Sequence, residues 1–363
     1  MSRADAVGLA VGYALDRVVG DPRRWHPVAG YGRLAGALER RLYAPTRVAG
    51  AAYVAVAVGA PVVAGCAAAA LTRRRPLARA ALMAAATWTV LGGRSLGREG
   101  TAMATALESS DVDAARRRLP HLCGRDPSTL DMGELARATV ESVAENTSDA
   151  VVAPLWWGAV GGLPGLLGYR AVNTLDAMVG HRSPRYQRFG SVAARLDDGV
   201  NLVPARLTGL LTAVLAPRAG GDRRAAITVW RRHHADHPSP NAGHCEAAMA
   251  GALGVRLGGR NVYSGRTEVR PFLGGGRRPD AADVRRAVHL STAVGAVAAG
   301  LAVAGAARRR TPTATTGAAR RSTPTATTGA DRRTTPTAAT GAARRTTPTA
   351  ATAGTPQDRR SRR

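Results

Sequence analysis

Two apolar runs in this chain are long enough to cross a bilayer, which takes about 20 residues. Residues 48–71 lie between Arg47 and Arg73-Arg74-Arg75, and residues 287–307 lie between Arg286 and Arg308. Neither holds an acidic or basic side chain apart from His289. A third run, 150–169, is uncharged but contains Pro154, Pro164 and five glycines, a pattern for a kinked or re-entrant helix. Weaker candidates are 80–93, 4–19 with Asp16 inside it, and 199–217 with Arg206 inside it. Between these runs the spacing is helical. Residues 134–149 follow Asp131, which suits a helix N-cap, and Arg137 and Glu141 stand one turn apart. Few or no strands are expected. The pattern therefore predicts an all-α, multi-pass helical integral membrane protein with polar helical loops. The mean hydropathy of −0.12 is an average diluted by arginine-rich loops. A soluble alanine-rich bundle with buried helices is the alternative.

The pattern stops at residue 308. Beyond it a 12-residue unit recurs, with prolines at Pro312, Pro324, Pro336 and Pro348. It offers almost nothing large to bury, so it cannot offset its ordering entropy and lacks the apolar face a solenoid stacks. Residues 1–307 are thus expected to form a membrane-embedded domain and 308–363 a disordered tail. The N-terminal stretch lacks a small-residue cleavage site and reads as retained structure.

Charge narrows the function classes. The 51 basic residues are all arginine. Without lysine there is no P-loop and no Schiff-base chemistry. The net charge is +26; the tail, with 13 arginines against Asp331 and Asp358, accounts for +11 and the body for +15. A basic body suits anionic lipid headgroups or phosphorylated ligands. With only two phenylalanines and no aromatic-rich basic motif, nucleic acid is not an expected partner. Cys66, Cys123 and Cys245 form no CxxC pair and suggest neither a disulfide framework nor a zinc ribbon.

Polar groups cluster around the third run. Glu141, Glu145 and Asp149 recur every four residues and share a helix face, which suits either Mg²⁺ binding or a solvated acidic surface. Asn173 and Asp176 share another face with Gly180, which leaves room for a ligand. Arg182 and Arg185 follow in a turn-like segment suited to phosphate or carboxylate, or to a headgroup surface. Asp197-Asp198, with Arg195, Asn201 and Arg206, makes a second acidic cluster. The adjacent aspartates point different ways on a helix, so one is free for metal while the other pairs with an arginine. His233, His234, His237 and His244 crowd one loop beside Cys245, at spacings that fit no structural zinc pattern. Within that loop two prolines, Pro238 and Pro240, stiffen the chain, and Ser239 and Asn241 are hydrogen-bond donors suited to a phosphate. Gly258-Gly259 and Gly274-Gly275-Gly276 match no dinucleotide fingerprint, since no strand is expected to lead into them. Charge beside apolar helices marks a site or a pathway.

Five segments in order carry a resemblance. GDPRRWHPV at 20–28, ESVAENTSDAVVAPLWW at 141–157, YRAVNTLDAMVGHRSPRYQRFG at 169–190, ARLDDGVNLVPARLT at 194–208 and HPSPNAGHCEAAMAGALGVRLGG at 237–259 resemble the CobD/CbiB family of cobalamin biosynthesis, the adenosylcobinamide-phosphate synthases. The resemblance covers about residues 5–305. It departs at Arg170, where relatives commonly carry lysine, and at His244-Cys245.

The resemblance implies a multi-pass enzyme of the cytoplasmic membrane. It would join aminopropanol, or its phosphate, to the ring D propionate of adenosylcobyric acid. ATP would be a co-substrate, with Mg²⁺ and no tightly bound cofactor; membrane lipid and other late-pathway membrane enzymes are the expected neighbours. On that reading Glu145, Asp176, Asp198 and His237 are the catalytic candidates, and Asp149 and Asp197 the Mg²⁺ ligands. Asn146, Asn173, Arg182, Arg185, Arg195, Asn201, Arg206, Ser239 and Asn241 would contact substrate. The rival class is a membrane transporter of a corrinoid or another anionic solute.

Overall fold

The computed structural model describes residues 2–22, 26–181, 183–263 and 266–308. The chain order is α1 (Arg3–Val18), α2 (Pro27–Leu42), α3 (Arg47–Leu71), α4 (Pro76–Val90), α5 (Gly93–Glu108), α6 (Val112–Arg118), α7 (Met132–Thr147), α8 (Ala153–Leu175), α9 (Ser191–Val214), α10 (Arg223–His233), α11 (Ala242–Leu253), β1 (Leu257–Tyr263), β2 (Arg266–Leu273) and α12 (Ala281–Arg308). The expected tail begins where α12 ends and lies, beyond Arg308, outside the described residues.

Among the described residues, three stretches are long and apolar enough to cross a membrane: α3, the run Met132–Gly180 through α7 and α8, and α12. They contain the three runs of the sequence. The weaker candidates fold as α4, α1 and α9 but do not reach that length and hydropathy. One face of α3 is bare, with Val48, Val63 and Leu71 67–81% exposed, as a lipid-facing helix requires.

Small residues set the helix contacts. Gly8 and Gly12 on α1 sit so close to α4 that a Cβ would stand 2.5 Å from Met83 Cβ and 2.4 Å from Thr87 Cβ. This is the small-xxx-small spacing that lets membrane helices approach. Asp5 ties the same pair by accepting from Arg79 Nε at 2.7 Å. Gly65 of α3 packs on Pro164 of α8, where a Cβ would meet Pro164 Cα at 2.8 Å. Asp16, fully buried at the end of α1, faces the start of α5; a Cβ on Gly93 would lie 2.9 Å from its Oδ2.

The kink expected in the third run is present. Gly162 adopts φ 62° inside α8, two residues before Pro164. Asp131 caps α7 through a reciprocal pair: Glu134 N–H donates to its Oδ1 at 2.7 Å and its own N–H donates to Glu134 Oε2 at 3.0 Å. Two π-helical turns, Ser148–Val152 and Asp176–Gly180, follow α7 and α8. Such turns carry an extra residue and recur at functional sites.

One element departs from the helical expectation. Strands β1 and β2 form an antiparallel hairpin with an irregularity between Leu257 and Gly259, where Gly258 (φ 85°) and Gly259 (φ 94°) take the left-handed backbone. Both glycines thus lie within a strand, although they match no nucleotide fingerprint. Glu141 anchors the hairpin by accepting the Gly258 N–H at 2.7 Å.

Candidate functional site

The polar groups that the sequence scatters over a hundred residues meet in one cavity of about 390 Å³. Glu145 reaches it from α7, Ser148 and Asp149 from the first π-turn, and Asp176 and Gly180 from the second. Helix α9 supplies Asp197, Asp198 and Asn201; the loop before α11 supplies His237, Ser239 and Asn241. Strand β2 adds Glu268 and Arg270, which the helical reading of that region missed. The signal for them was the pair Ser264-Gly265, a dipeptide that favours turns, preceded by Val262-Tyr263 and followed by Thr267 and Val269. Four of the lining residues, Gly180, His181, Ala194 and Asp198, also line a second cavity of about 680 Å³ edged by Arg47 and Arg195. The inner space is acidic and the outer one carries arginine.

Local wiring holds the acids in place. Asn201 Nδ2 donates to Asp197 Oδ2 at 3.0 Å, one helical turn away, and Asn201 Oδ1 accepts the Tyr169 hydroxyl at 3.0 Å. That hydroxyl also reaches the Asp149 carbonyl at 3.2 Å, so α8, α9 and the first π-turn share one network. Burial, then the charge of Asp176, pushes the Asp197 carboxyl up to about 7. Burial also raises Asp198. Asn173 contacts the same Asp197 carboxylate.

The loop 237–241 is wired mainly to itself and to α9. His237 Nδ1 accepts the Ser239 N–H at 3.0 Å, and its Nε2 faces Arg270 Nη1 at 3.3 Å and Glu246 Oε1 at 3.6 Å. Burial and then Arg270 lower the His237 pKa, keeping the ring neutral. Burial, then the charges of Glu141 and Glu145, raise Glu246 well above the usual carboxylate range. Ser239 Oγ accepts from Asn241 N–H and Ala242 N–H at 3.3 and 3.2 Å, and Asn241 Nδ2 donates to the Asp198 carbonyl at 2.8 Å. Ser239 and Asn241 line the cavity while shaping its wall.

Several candidates fall elsewhere. Glu141 leaves the acidic face for a buried ion-pair cluster with Arg125 (2.6 Å) and Arg137 (3.1 Å). Asn146 donates to the Ser142 carbonyl of its own helix at 2.9 Å and does not line the cavity. Arg185 pairs with Glu39 at 3.0 Å and lies over the Tyr43 ring, away from the acids. Arg206 is exposed and donates to the Leu202 carbonyl at 2.7 Å, so it faces outward rather than into the site. Arg195 lines the outer cavity, and Arg182 lies outside the described residues. Gly180 makes room for the Asp176 carboxylate itself. The crowded histidines pack against each other: His234 stacks on His244 at 4.3 Å, and His244 Nδ1 accepts the Trp230 Nε1–H at 3.0 Å.

The acids suit a hard cation. Asp197 Oδ1 is buried without a hydrogen-bond partner, and the nearby donors are oxygens. Among the described residues no three acidic, histidine or cysteine side chains converge tightly enough to hold an ion alone. Mg²⁺ commonly takes one or two carboxylates and completes its shell with water and phosphate oxygens, so Asp149 and Asp197 remain compatible ligands.

A model of the CobD/Cbib protein family matches residues 9–291. The chain is 55% identical over 306 residues to the cobalamin biosynthesis protein CobD of Mycobacterium tuberculosis, covering 84% of this chain and 97% of that one. It is 46% identical over 299 residues to the CobD protein of Geobacter metallireducens (80% and 93% covered) and 43% identical over 294 residues to that of Chromobacterium violaceum (78% and 91%). No solved structure gives a significant match. The match spans the acidic cavity, two of the candidate membrane stretches and the start of α12, and the chain belongs to the CobD/CbiB family of cobalamin biosynthesis proteins.

Proposed function

We propose that this chain is the ATP-dependent, Mg²⁺-requiring synthase that joins aminopropanol or its phosphate to the ring D propionate of adenosylcobyric acid, as a multi-pass protein of the cytoplasmic membrane. The observation that carries this reading is the convergence of Glu145, Asp149, Asp176, Asp197 and Asp198 on one cavity that continues into an arginine-edged one. An acidic inner space suits an ammonium substrate and a cation; an outer space with Arg47 and Arg195 suits an anionic partner.

A carboxylate is a poor acyl donor until its oxygen is made a leaving group. In the proposed reaction a propionate oxygen attacks the γ-phosphorus of ATP and releases ADP. The amine nitrogen then attacks the acyl carbon and phosphate leaves, so the amide forms at the cost of one ATP. Asp149 and Asp197 would hold Mg²⁺, which when bound offsets charge on the phosphate oxygens. Glu145 and Asp176 hold the substrate ammonium. Asp198, on the wall common to both cavities, takes the proton that the amine loses on attack. His237 has both ring nitrogens engaged, so it positions the 237–241 loop and Arg270 rather than serving as the base.

The test is mass analysis of adenosylcobyric acid incubated with detergent-purified protein, ATP, Mg²⁺ and each amine. A product of corrinoid plus amine minus water, formed with stoichiometric ADP and phosphate, is expected. Corrinoid crossing a vesicle membrane unchanged, with no such product, would replace this reading with transport.

A further inference from the structure

Unbalanced positive charge outside the reaction cavity gathers at the root of the hairpin. A cavity of about 140 Å³ opens there between the start of α7, the approach to β1 and the end of β2. Arg137, Arg256, Arg260 and Arg278 all line it. Among the described residues Glu134 is the one acid on its wall, and its carboxylate already accepts the Asp131 N–H. Arg137 is balanced by Glu141 and braces the wall, donating to the Gly258 carbonyl at 2.6 Å and the Arg260 carbonyl at 2.9 Å. Arg278 meets Asp131 only at 3.6 Å. Arg256 lies over the Phe272 ring, 4.5 Å from its centroid. Neither Arg256 nor Arg260 has a carboxylate partner among the described residues. Gly259 lets this wall close, since a Cβ there would stand 2.9 Å from the Phe272 ring.

We propose that this cavity is a second anion site that binds a phosphate group, held by Arg256, Arg260 and Arg278 and separate from the acidic reaction cavity. Guanidinium forks match phosphate oxygens two at a time, and the space admits a tetrahedral oxyanion but not a corrinoid. The phosphate comes either from a soluble ligand or from a lipid headgroup. Phe272 and Val269, 52% and 76% exposed on the same strand, place apolar surface beside it. The assignment does not rest on the amide-forming reaction.

The experiment uses the full chain in detergent at low ionic strength, titrated calorimetrically with pyrophosphate, and the chain incubated with phosphatidylglycerol or phosphatidylcholine vesicles. Arg256→Gln/Arg260→Gln should weaken pyrophosphate binding, or binding to phosphatidylglycerol vesicles, at least ten-fold. Arg224→Gln, at an exposed position of α10 outside both cavities, should leave it unchanged. Loss with pyrophosphate identifies a soluble ligand; loss with the anionic vesicles alone identifies a headgroup. Both arginines are exposed, so thermal melting should not move, and Arg260→Lys, which keeps charge but not the fork, should fall between. If the double variant binds both probes like the wild type, or if Arg224→Gln weakens binding as much, the site does not exist.

Discussion

Gly180 stands so close to Asp176 that a Cβ on it would lie within 1.9 Å of the Asp176 carboxylate oxygen Oδ1. The π-turn that spans both residues brings the carboxylate back over its own backbone, and only a glycine leaves it that space. The atom in the way is the tip of a side chain, so Gly180→Ala can be accommodated by rotating Asp176 out of position. A shift of about 1 Å at a reacting group costs on the order of 100-fold in rate. Gly180→Ala should therefore lower kcat by 10- to 100-fold with little change in thermal melting. Wild-type turnover in this variant would show that the placement of Asp176 does not matter.

Asp16 gives a pH dependence of stability remote from the reaction cavity. Burial raises its carboxyl to about 6, and the charge of Asp21 adds to the rise. In the unfolded chain the same group ionises near 4. Between those values the folded chain keeps a proton that the unfolded chain has released. Folding is then linked to proton binding, and stability falls as pH rises. The contribution is complete below about pH 4 and lost above about pH 6, a range of about 3 kcal/mol from a shift of roughly two units. Melting temperature should fall between pH 4.5 and 7, and Asp16→Asn should flatten that fall. An equal slope in the variant would assign it to other groups.

How far the sequence led is clearest at α7 and the hairpin. Asp131 was readable as a cap because capping is local, and the kink at Gly162 and Pro164 was readable because those residues act on their own backbone. The four-residue spacing gave Glu141, Glu145 and Asp149 one face but not their partners. Glu141 turns to Arg125, 16 residues earlier, and to a glycine 117 residues later. Periodicity carries no such long-range information. Arg185 and Arg206 read as substrate contacts from their charge and the resemblance; in the fold one meets Glu39 and an aromatic face, the other a carbonyl one turn back. Glu268 and Arg270 were missed because a hairpin of eight residues or fewer per strand is a weak signal beside long apolar helices.

The Mg²⁺ assignment predicts a split between metal and substrate effects. Chelation should abolish amide formation, and added Mg²⁺ should restore it. Asp149→Asn and Asp197→Asn should each raise the Mg²⁺ concentration needed for half-maximal rate by at least ten-fold. Arg195→Gln should leave that concentration unchanged and raise the KM of an anionic substrate instead. Full activity in the presence of chelator, or an unchanged Mg²⁺ requirement in both aspartate variants, would remove the metal role from this pair.

Glu141 should be the costliest acid to neutralise, although it touches no substrate. It is 3% exposed, and its two oxygens meet Arg125, Arg137 and the Gly258 N–H. Arg125 is itself only 4% exposed, so neutralising Glu141 leaves a desolvated guanidinium without the carboxylate it meets at 2.6 Å. Removing one partner of a buried ion pair costs about 3–5 kcal/mol, because the other charge stays desolvated. Glu141→Gln keeps the shape and one acceptor oxygen but loses the charge, so a loss in that range is expected, read as a large drop in melting temperature. The hairpin hangs on this residue through Gly258 and carries Arg270 to the reaction cavity. Activity should therefore fall even at temperatures where the variant stays folded, and faster hydrogen exchange should appear at β1 and β2 before the rest of the protein. A variant that melts like the wild type would mean that the arginines are balanced without Glu141, and that the hairpin is held by its contacts with α10 and α11 instead.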